Sequence, residues 1–257
     1  MELSGNTILI TGGTSGIGLE LALRLLDLGN TVIITGRDQA KLDQTRLKFP
    51  KVHTFQSDVR DPAAIAALYE KVTQQFPDLN FLVNNAGEMR RLDLRDPALE
   101  VYDIAREIDI NLSGPIRMVQ QFLPWLRTRK NAAIMNVTSG IAFIPFPLSP
   151  IYSATKAGLR AYTRTLRVQL KRDHIKVFEL AAPGVNTPLN DKFQGDVNPR
   201  AFMETGKLVS QTIKGLKNDD FEILPGLAKV FKFMSRFAPG LIFRQISKMA
   251  EKSLAGG

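Results

Sequence analysis

The sequence predicts an α/β fold, a doubly wound parallel sheet with helices on both faces. Three observations predict it. Short apolar runs, several rich in β-branched residues, alternate with longer helical patterns. The first two runs flank one helical stretch, which makes a strand–helix–strand unit, and the turn leading into that stretch is Gly-rich. Parallel strands covered on both faces read as continuous apolar runs, and repetition of the strand–helix–strand unit builds a doubly wound sheet.

The first strand is Thr7-Ile8-Leu9-Ile10. A helix is expected from Gly16 to Leu28, with Leu19, Ala22, Leu25 and Leu26 at helical spacing and Gly29 as its stop. Thr31-Val32-Ile33-Ile34 is the second strand, and Asn80 to Val83, Ala133 to Val137 and Lys176 to Leu180 read the same way. Asp58 and Asn84 each follow a strand-like run, where a doubly wound sheet presents its ligands. Composition shifts near Asn190. Residues 191–222 are expected to form a polar lid over a substrate site and 223–257 a basic, amphipathic tail, both within a single domain spanning 1–257.

The chain has 257 residues, of which 44% are hydrophobic and 23% charged, a composition that excludes a disordered or fibrous protein. With no cysteine and only His53 and His174, no metal site is expected. The net charge is +9, but the cations are scattered. The tightest groups, Arg90-Arg91 and Arg127 to Lys130, form no basic arm and accompany no groove-reading motif, so nucleic acid is not an expected partner. Residues 1–5 lack the pattern of a secretory signal, and no run reaches about 18 apolar residues. A cytoplasmic location is the expectation.

Thr11-Gly12-Gly13-Thr14-Ser15-Gly16-Ile17-Gly18 joins the first strand to the first helix. Glycines let the backbone turn sharply and let a pyrophosphate approach with no Cβ in the way. The following helix aims its free N–H groups and positive dipole end at that anion. Gly12, Thr14, Ser15, Gly16, Ile17 and Gly18 are therefore candidate dinucleotide-binding residues. The second strand ends at Thr35-Gly36-Arg37-Asp38. An acid near this point binds the ribose 2′-hydroxyl of NAD(H), whereas a guanidinium can fork onto the 2′-phosphate of NADP(H). Asp38 falls late, in the turn, and Arg37 stands nearer the strand end, so NADP(H) is favoured over NAD(H).

Tyr152-Ser153-Ala154-Thr155-Lys156 opens a helical pattern, and the i,i+4 spacing stacks the phenol and the ammonium on one face. A free phenol ionises near pH 10 and is a poor acid–base group at neutral pH. A cation about 4 Å away, at an effective dielectric near 20, is worth roughly 4 kcal/mol, or about 3 pKa units before desolvation opposes it. The expectation is a phenol lowered into the range useful for proton transfer.

Taken in order, Thr11 to Gly18, Asn84-Asn85-Ala86-Gly87, Asn111, Ser139, Tyr152, Lys156 and Pro183-Gly184-Val185-Asn186-Thr187 resemble the short-chain dehydrogenase/reductase family. The resemblance covers roughly residues 5–190, and residues 6–36 and 77–87 look most like the DltE-type oxidoreductases. It implies one Rossmann-like domain with a parallel sheet of about seven strands. It also implies roles. Tyr152 would be the general acid in reduction and the base in oxidation, and Lys156 would lower its pKa and hold the nicotinamide ribose. Ser139 would bind the substrate oxygen and the developing alkoxide, and Asn111 would hold a water relaying protons to Lys156. Asp58 and Val59 would hold the adenine. Asn85, Ala86 and Gly87 would pack along the cofactor, and Pro183, Gly184, Val185 and Thr187 would wrap the nicotinamide. Relatives commonly form oligomers, so a homo-oligomer is expected. Thr138 stands before Ser139 in place of a commoner serine, with no consequence expected for the chemistry.

Ala142 to Leu148 is unusually apolar for a loop. It reads either as one wall of a greasy substrate pocket or as a loop pressed under a lid or a neighbouring subunit. Glu88 to Arg91 follow the Asn84 to Gly87 motif and could rim that pocket, although arginines there read more simply as surface charge. In the tail, Leu227, Val230, Phe231, Met234 and Phe237 fall on one helical stripe; Pro239-Gly240 interrupts it, and Leu241 to Met249 resumes it. Such a stripe packs on the domain, covers the cleft, joins subunits or lies on an anionic membrane, the membrane being the less favoured reading. The functional expectation is a NADP(H)-dependent oxidoreductase acting on an apolar carbonyl or alcohol. A dinucleotide-binding sensor or scaffold without chemistry is the alternative.

Overall fold

The computed structural model describes residues 1–193, 195, 196 and 202–255. Seven parallel strands form one sheet in the order β3-β2-β1-β4-β5-β6-β7. They are β1 (Thr7–Thr11), β2 (Thr31–Gly36), β3 (His53–Gln56), β4 (Leu79–Asn84), β5 (Ala133–Ser139), β6 (Lys176–Ala182) and β7 (Glu222–Ile223). The helices are α1 (Gly16–Asp27), α2 (Gln39–Lys48), α3 (Pro62–Gln75), α4 (Val101–Ile108), α5 (Gly114–Leu126), α6 (Pro150–Gln169), α7 (Thr205–Lys217), α8 (Leu227–Phe237) and α9 (Pro239–Ala255). A single π-helical turn, Asp109–Ser113, joins α4 to α5.

Both faces of the sheet are buried, and the two-residue period divides each strand between two cores. Ile8, Ile10, Ile34, Phe81, Val83 and Phe178 pack under α1 and α7, with Leu21, Leu25, Leu208 and Leu216. Leu9, Ile33, Leu82, Ile134 and Val177 turn to the other face and meet Ile65, Phe122 and Leu166 of α3, α5 and α6. This double burial is why the strands read as apolar runs. The strand order reverses direction between β1 and β4, so a crevice opens at the C-terminal ends of those strands, the usual ligand position of such sheets.

Local chemistry sets the element boundaries. Asp61 caps α3 by accepting from Ala63 N at 2.8 Å, and Pro62 occupies the first turn, where no N–H is needed. Gly29, at φ 82°, turns the chain out of α1 into β2. The two strands outside the five apolar runs are short. β3 supplies the strand-like run before Asp58, and β7 has only two residues at the sheet edge.

The expected lid over 191–222 does not hold for its second half. Residues 205–217 form α7, which buries Leu208, Val209, Thr212 and Leu216 against α1 and the sheet, and Glu222–Ile223 pair with β6. Lysines 207, 214 and 217 on the outer side gave this helix its polar composition. In the first half, Pro188–Phe193 form a 3-10 turn with Phe193 buried; Gln194 and residues 197–201 lie outside the described residues, as do Gly256 and Gly257 of the tail. The tail folds as α8 and α9, with Pro239 opening the second helix rather than merely ending the first. Among the described residues, no helix is long and apolar enough to cross a membrane.

Candidate functional site

A cavity of about 540 Å³ runs along the C-terminal ends of β1, β2, β4, β5 and β6. Gly12, Thr14, Ser15, Gly16 and Ile17 line one end of it. Gly12 has φ 66°, and a Cβ there would come within 2.8 Å of Ala86 Cα, so no other residue fits without moving the backbone. Ser15 stands at the N-cap of α1 with no side-chain cap bond, which leaves the first-turn N–H groups directed at the cavity. Gly18 does not line the cavity. Its role is close packing, since a Cβ there would lie 2.4 Å from Gly12 O and from Asn85 Nδ2. Asn85 braces the turn from β4: its Nδ2 donates to Thr11 O and Gly12 O, both at 3.0 Å, while Thr11 Oγ1 accepts from Asn85 N and Ala86 N at 3.0 Å.

At the rim, Arg37 and Asp38 both line the cavity, but their side chains differ in availability. The Asp38 carboxylate caps α2, accepting from Lys41 N at 3.2 Å, and its other oxygen lies 4.0 Å from Lys41 Nζ. Arg37 is exposed; its backbone carbonyl accepts from Gln56 Nε2 at 3.1 Å, and its guanidinium carries no side-chain hydrogen bond among the described residues but acts on Asp58 through its charge. Lys41, which carries no motif of its own, adds a second cation to this rim. Asp58 and Val59 line the same end, with Asp58 forked onto Arg60 at 2.6–3.1 Å. The Arg60 bonds hold the Asp58 carboxyl below its ordinary value. Gly87, Pro183, Gly184, Val185 and Thr187 complete the wall opposite.

The floor is built from three elements. Ser139 closes β5, Tyr152 and Lys156 stand one turn apart on α6, and Asn111 lies in the π turn. Ser139, Tyr152 and Lys156 line the cavity, while Asn111 sits behind it, fully buried. The Asn111 amide is gripped by the backbone of Glu88, with Glu88 N donating to Oδ1 at 2.9 Å and Nδ2 donating to Glu88 O at 2.7 Å. A Cβ on Gly87 would lie 3.2 Å from Asn111 Oδ1, so a larger residue there would press on that amide. A π turn inside a helical stretch is a frequent mark of functional sites.

Lys156 Nζ donates to Val137 O at 2.8 Å and lies 5.4 Å from the centre of the Tyr152 ring. The expected direction of the tyrosine shift is not what this arrangement produces. Tyr152 is 6% exposed and Lys156 3%. Burial pushes the Tyr152 phenol above its ordinary value, a hydrogen bond with Ser139 pulls it partly back, and the Glu107 carboxylate adds to the rise. Burial also pushes Lys156 down to about 8. The opposing cost of taking both charges out of water is here larger than the gain from a nearby cation.

Behind the floor lies a charge network that spacing along the chain does not reveal. Glu107 is wholly buried and accepts from Arg90 N at 3.0 Å and Arg90 Nε at 3.2 Å. Arg90 also bridges to Asp103, and Arg106 joins Asp103 at 3.0 Å to Glu88 at 2.8 Å. Arg90 is therefore a buried structural cation, not a surface charge. It pins the segment whose backbone grips Asn111. Arg91 ties that segment to the tail through Asp196 and Ser253.

Above the floor most of the lining is apolar, although Glu88, Asn190 and Lys192 also line the cavity. Met89, Ile141 and Phe146 come from loops, Leu189, Phe193 and Phe202 from the segment after β6, and Leu227, Phe231, Ile246 and Met249 from the tail. The loop from Ala142 to Leu148 is thus both a pocket wall, through Phe146, and a packed support, through the fully buried Leu148. The tail covers the cleft. Ile246, Ala250 and Leu254 of α9 pack with Met89, Phe146, Tyr152 and Phe193.

This geometry agrees with what the chain resembles. The short chain dehydrogenase family matches residues 6–198. The chain is 46% identical over 192 residues to the uncharacterized oxidoreductase DltE of Bacillus subtilis, covering 75% of this chain and 76% of that one. Among solved structures it is similar to a short chain dehydrogenase from Burkholderia cenocepacia in complex with NADP, with a TM-score of 0.83 at 21% identity over 96% of this chain and 99% of that chain. A short chain dehydrogenase/reductase from Burkholderia phymatum in complex with NAD gives 0.79 at 22% identity, over 90% and 93%. Seven parallel strands, a cleft at the topological switch point and these likenesses lead to one conclusion: the chain belongs to the short-chain dehydrogenase/reductase family of NAD(P)-dependent oxidoreductases and is similar to DltE.

Proposed function

We propose that the protein is a NADP(H)-dependent oxidoreductase that interconverts an apolar carbonyl and its alcohol. One observation carries the reading: the polar set Ser139, Tyr152 and Lys156 forms the floor of the same cavity whose far end is the glycine cradle and whose roof is mostly apolar. The residues fit a dinucleotide. The turn from Gly12 to Gly18 leaves room for a pyrophosphate that a Cβ would fill, and the start of α1 offers it N–H donors. Asp58 and Val59 would hold the adenine, and Pro183, Gly184, Val185 and Thr187 the nicotinamide end. Bound there, the nicotinamide supplies or accepts hydride.

The chain's own groups do the rest. Ser139 Oγ and the Tyr152 hydroxyl converge on the substrate oxygen, and Tyr152 passes it a proton in reduction. Burial keeps the phenol protonated through neutral pH but weakens it as an acid, so donation relies on Lys156 and Ser139 stabilising the phenolate left behind. Lys156 stabilises the developing alkoxide by its charge and steadies the ribose, and Asn111, held by Glu88, orders the proton path behind it. The apolar roof orients the substrate's body and excludes water.

Preference for the phosphorylated cofactor rests on Arg37 being available while the Asp38 carboxylate is engaged by α2. Arg37→Ala is expected to raise KM for NADPH at least about tenfold, as loss of a charge-assisted contact does, and to leave KM for NADH nearly unchanged. Equal effects on both cofactors would remove the 2′-phosphate assignment. We further propose a homo-oligomer, supported by exposed apolar side chains on neighbouring helices: Val101 and Tyr102 of α4, Ile116 of α5 and Val168 of α6. Sedimentation velocity should show a species larger than one chain that Tyr102→Glu dissociates; a wild-type monomer at micromolar concentration counts against it.

A further inference from the structure

The C-terminal helices carry a surface that neither the cradle nor the floor uses. Positions on α8 advance by about 100° per residue, which places Ala228, Phe231 and Ser235 against the domain. The opposite arc holds Val230, Phe233 and Phe237, exposed at 49%, 59% and 72%, with the two rings 4.5 Å apart. Exposed Lys229 and Arg236 border that arc. A helix docked on its own domain ordinarily turns polar residues outward; α8 turns out phenylalanines. On α9, exposed Leu241 shares one arc with Arg244, Lys248 and Lys252. Residues 227–255 contain six cations and one carboxylate, Glu251. The apolar surface is continuous with the cavity, because Leu227 and Met249 line it and are also partly exposed.

We propose that α8 and α9 dock the protein on an anionic lipid bilayer, with Phe233 and Phe237 seated among the acyl chains at the interface and the flanking cations on lipid phosphates. Apolar side chains edged by Lys and Arg fit such a surface on both counts, hydrophobic burial and charge complementarity. A second copy of the chain fits worse. A symmetric contact would bring two faces of the same positive sign together, which is repulsive. Docking would also set the apolar mouth of the cavity against the source of an apolar substrate. The binding claim stands independently of hydride transfer, and its test reads binding alone.

The test is flotation of the full chain with vesicles of phosphatidylcholine alone and of phosphatidylcholine mixed with phosphatidylglycerol. The expected result is at least about tenfold stronger association with the mixed vesicles, weakened by salt. Phe233→Ser combined with Phe237→Ser should lose at least about tenfold in that association while NADPH binding and the thermal melt are retained. Should that pair misfold, Lys229→Glu with Arg236→Glu keeps the phenylalanines and should lose the preference for the mixed vesicles. Absence of vesicle binding, binding indifferent to lipid charge, or binding unchanged in well-folded variants overturns the proposal. So does a wild-type dimer that the serine pair converts to monomer without any vesicle association, which would identify the face as a contact between copies.

Discussion

Tyr152→Phe is expected to lose at least about 100-fold in kcat for carbonyl reduction, the usual worth of a positioned proton donor. NADPH affinity and the melting temperature should change little. The ring stays in place among Met89, Phe146 and Phe193, and Ser139 keeps its contacts with Ala182 O and Ile141 N at 3.4 Å. Stopped absorbance assays with a panel of apolar aldehydes and ketones give kcat, and cofactor fluorescence gives affinity. Undiminished turnover would reject Tyr152 as the acid. Tight NADPH binding by the wild type with no turnover on any substrate would favour the sensor reading instead. The pH dependence follows from the same burial. With the phenol raised above its ordinary value and Lys156 lowered to about 8, the site below pH 8 holds a protonated donor beside a charged lysine. Reduction should therefore be steady near neutrality and fall as pH rises through about 8, when Lys156 loses its charge. Oxidation needs the phenolate, which a phenol held above its ordinary value forms only in strongly alkaline solution, so it should climb only at pH well above the range in which Lys156 titrates.

Glu107→Ala is expected to destabilise the fold by about 3–5 kcal/mol, the cost of removing one partner of a buried ion pair. The variant strips Arg90 of two of its contacts and leaves a buried guanidinium held by Asp103 alone. For a chain of this size that corresponds to a melting temperature lower by about 10 °C. Burial raises the Glu107 carboxyl and the Arg90 bonds oppose that rise, so the native charge state depends on the pair as a unit. Because Arg90 anchors the backbone that grips Asn111, kcat should fall as well, and Glu107→Gln should restore part of both losses through its remaining acceptor. Chemical denaturation of the three forms checks the order wild type, Gln, Ala. An alanine variant as stable as the wild type would show that Arg90 re-pairs or reaches water.

What the sequence reveals most directly is whatever depends on neighbours close in the chain. The cradle is one turn, and the Tyr152–Lys156 pair is one helical step, so residue types and spacing suffice to point to them. The five long strands are legible because burial on both faces leaves no polar alternation to confuse them. The rest depends on residues that meet only through the fold. Glu107 and Arg90 are 17 residues apart and look like ordinary surface charges until α4 folds back over the segment after β4. Helix α7 was readable in principle: Leu208, Thr212 and Leu216 recur every fourth residue with Val209 beside them, a core stripe that the surrounding lysines obscured. The direction of the tyrosine shift needed the depth of the site, which spacing alone does not contain.

The roof of the cavity has a consequence for how such a protein can change. The family match ends at residue 198, while Phe202, Leu227, Phe231, Ile246 and Met249 overhang the floor from beyond it. Part of the apolar roof therefore comes from beyond the stretch that holds Ser139, Tyr152 and Lys156, while Met89, Ile141, Phe146, Leu189 and Phe193 come from within it. Under the proposed function, drift in the last helices would retune which molecules are admitted while Tyr152 and the sheet stay untouched, so a lineage of such proteins would diversify in diet without relearning its chemistry.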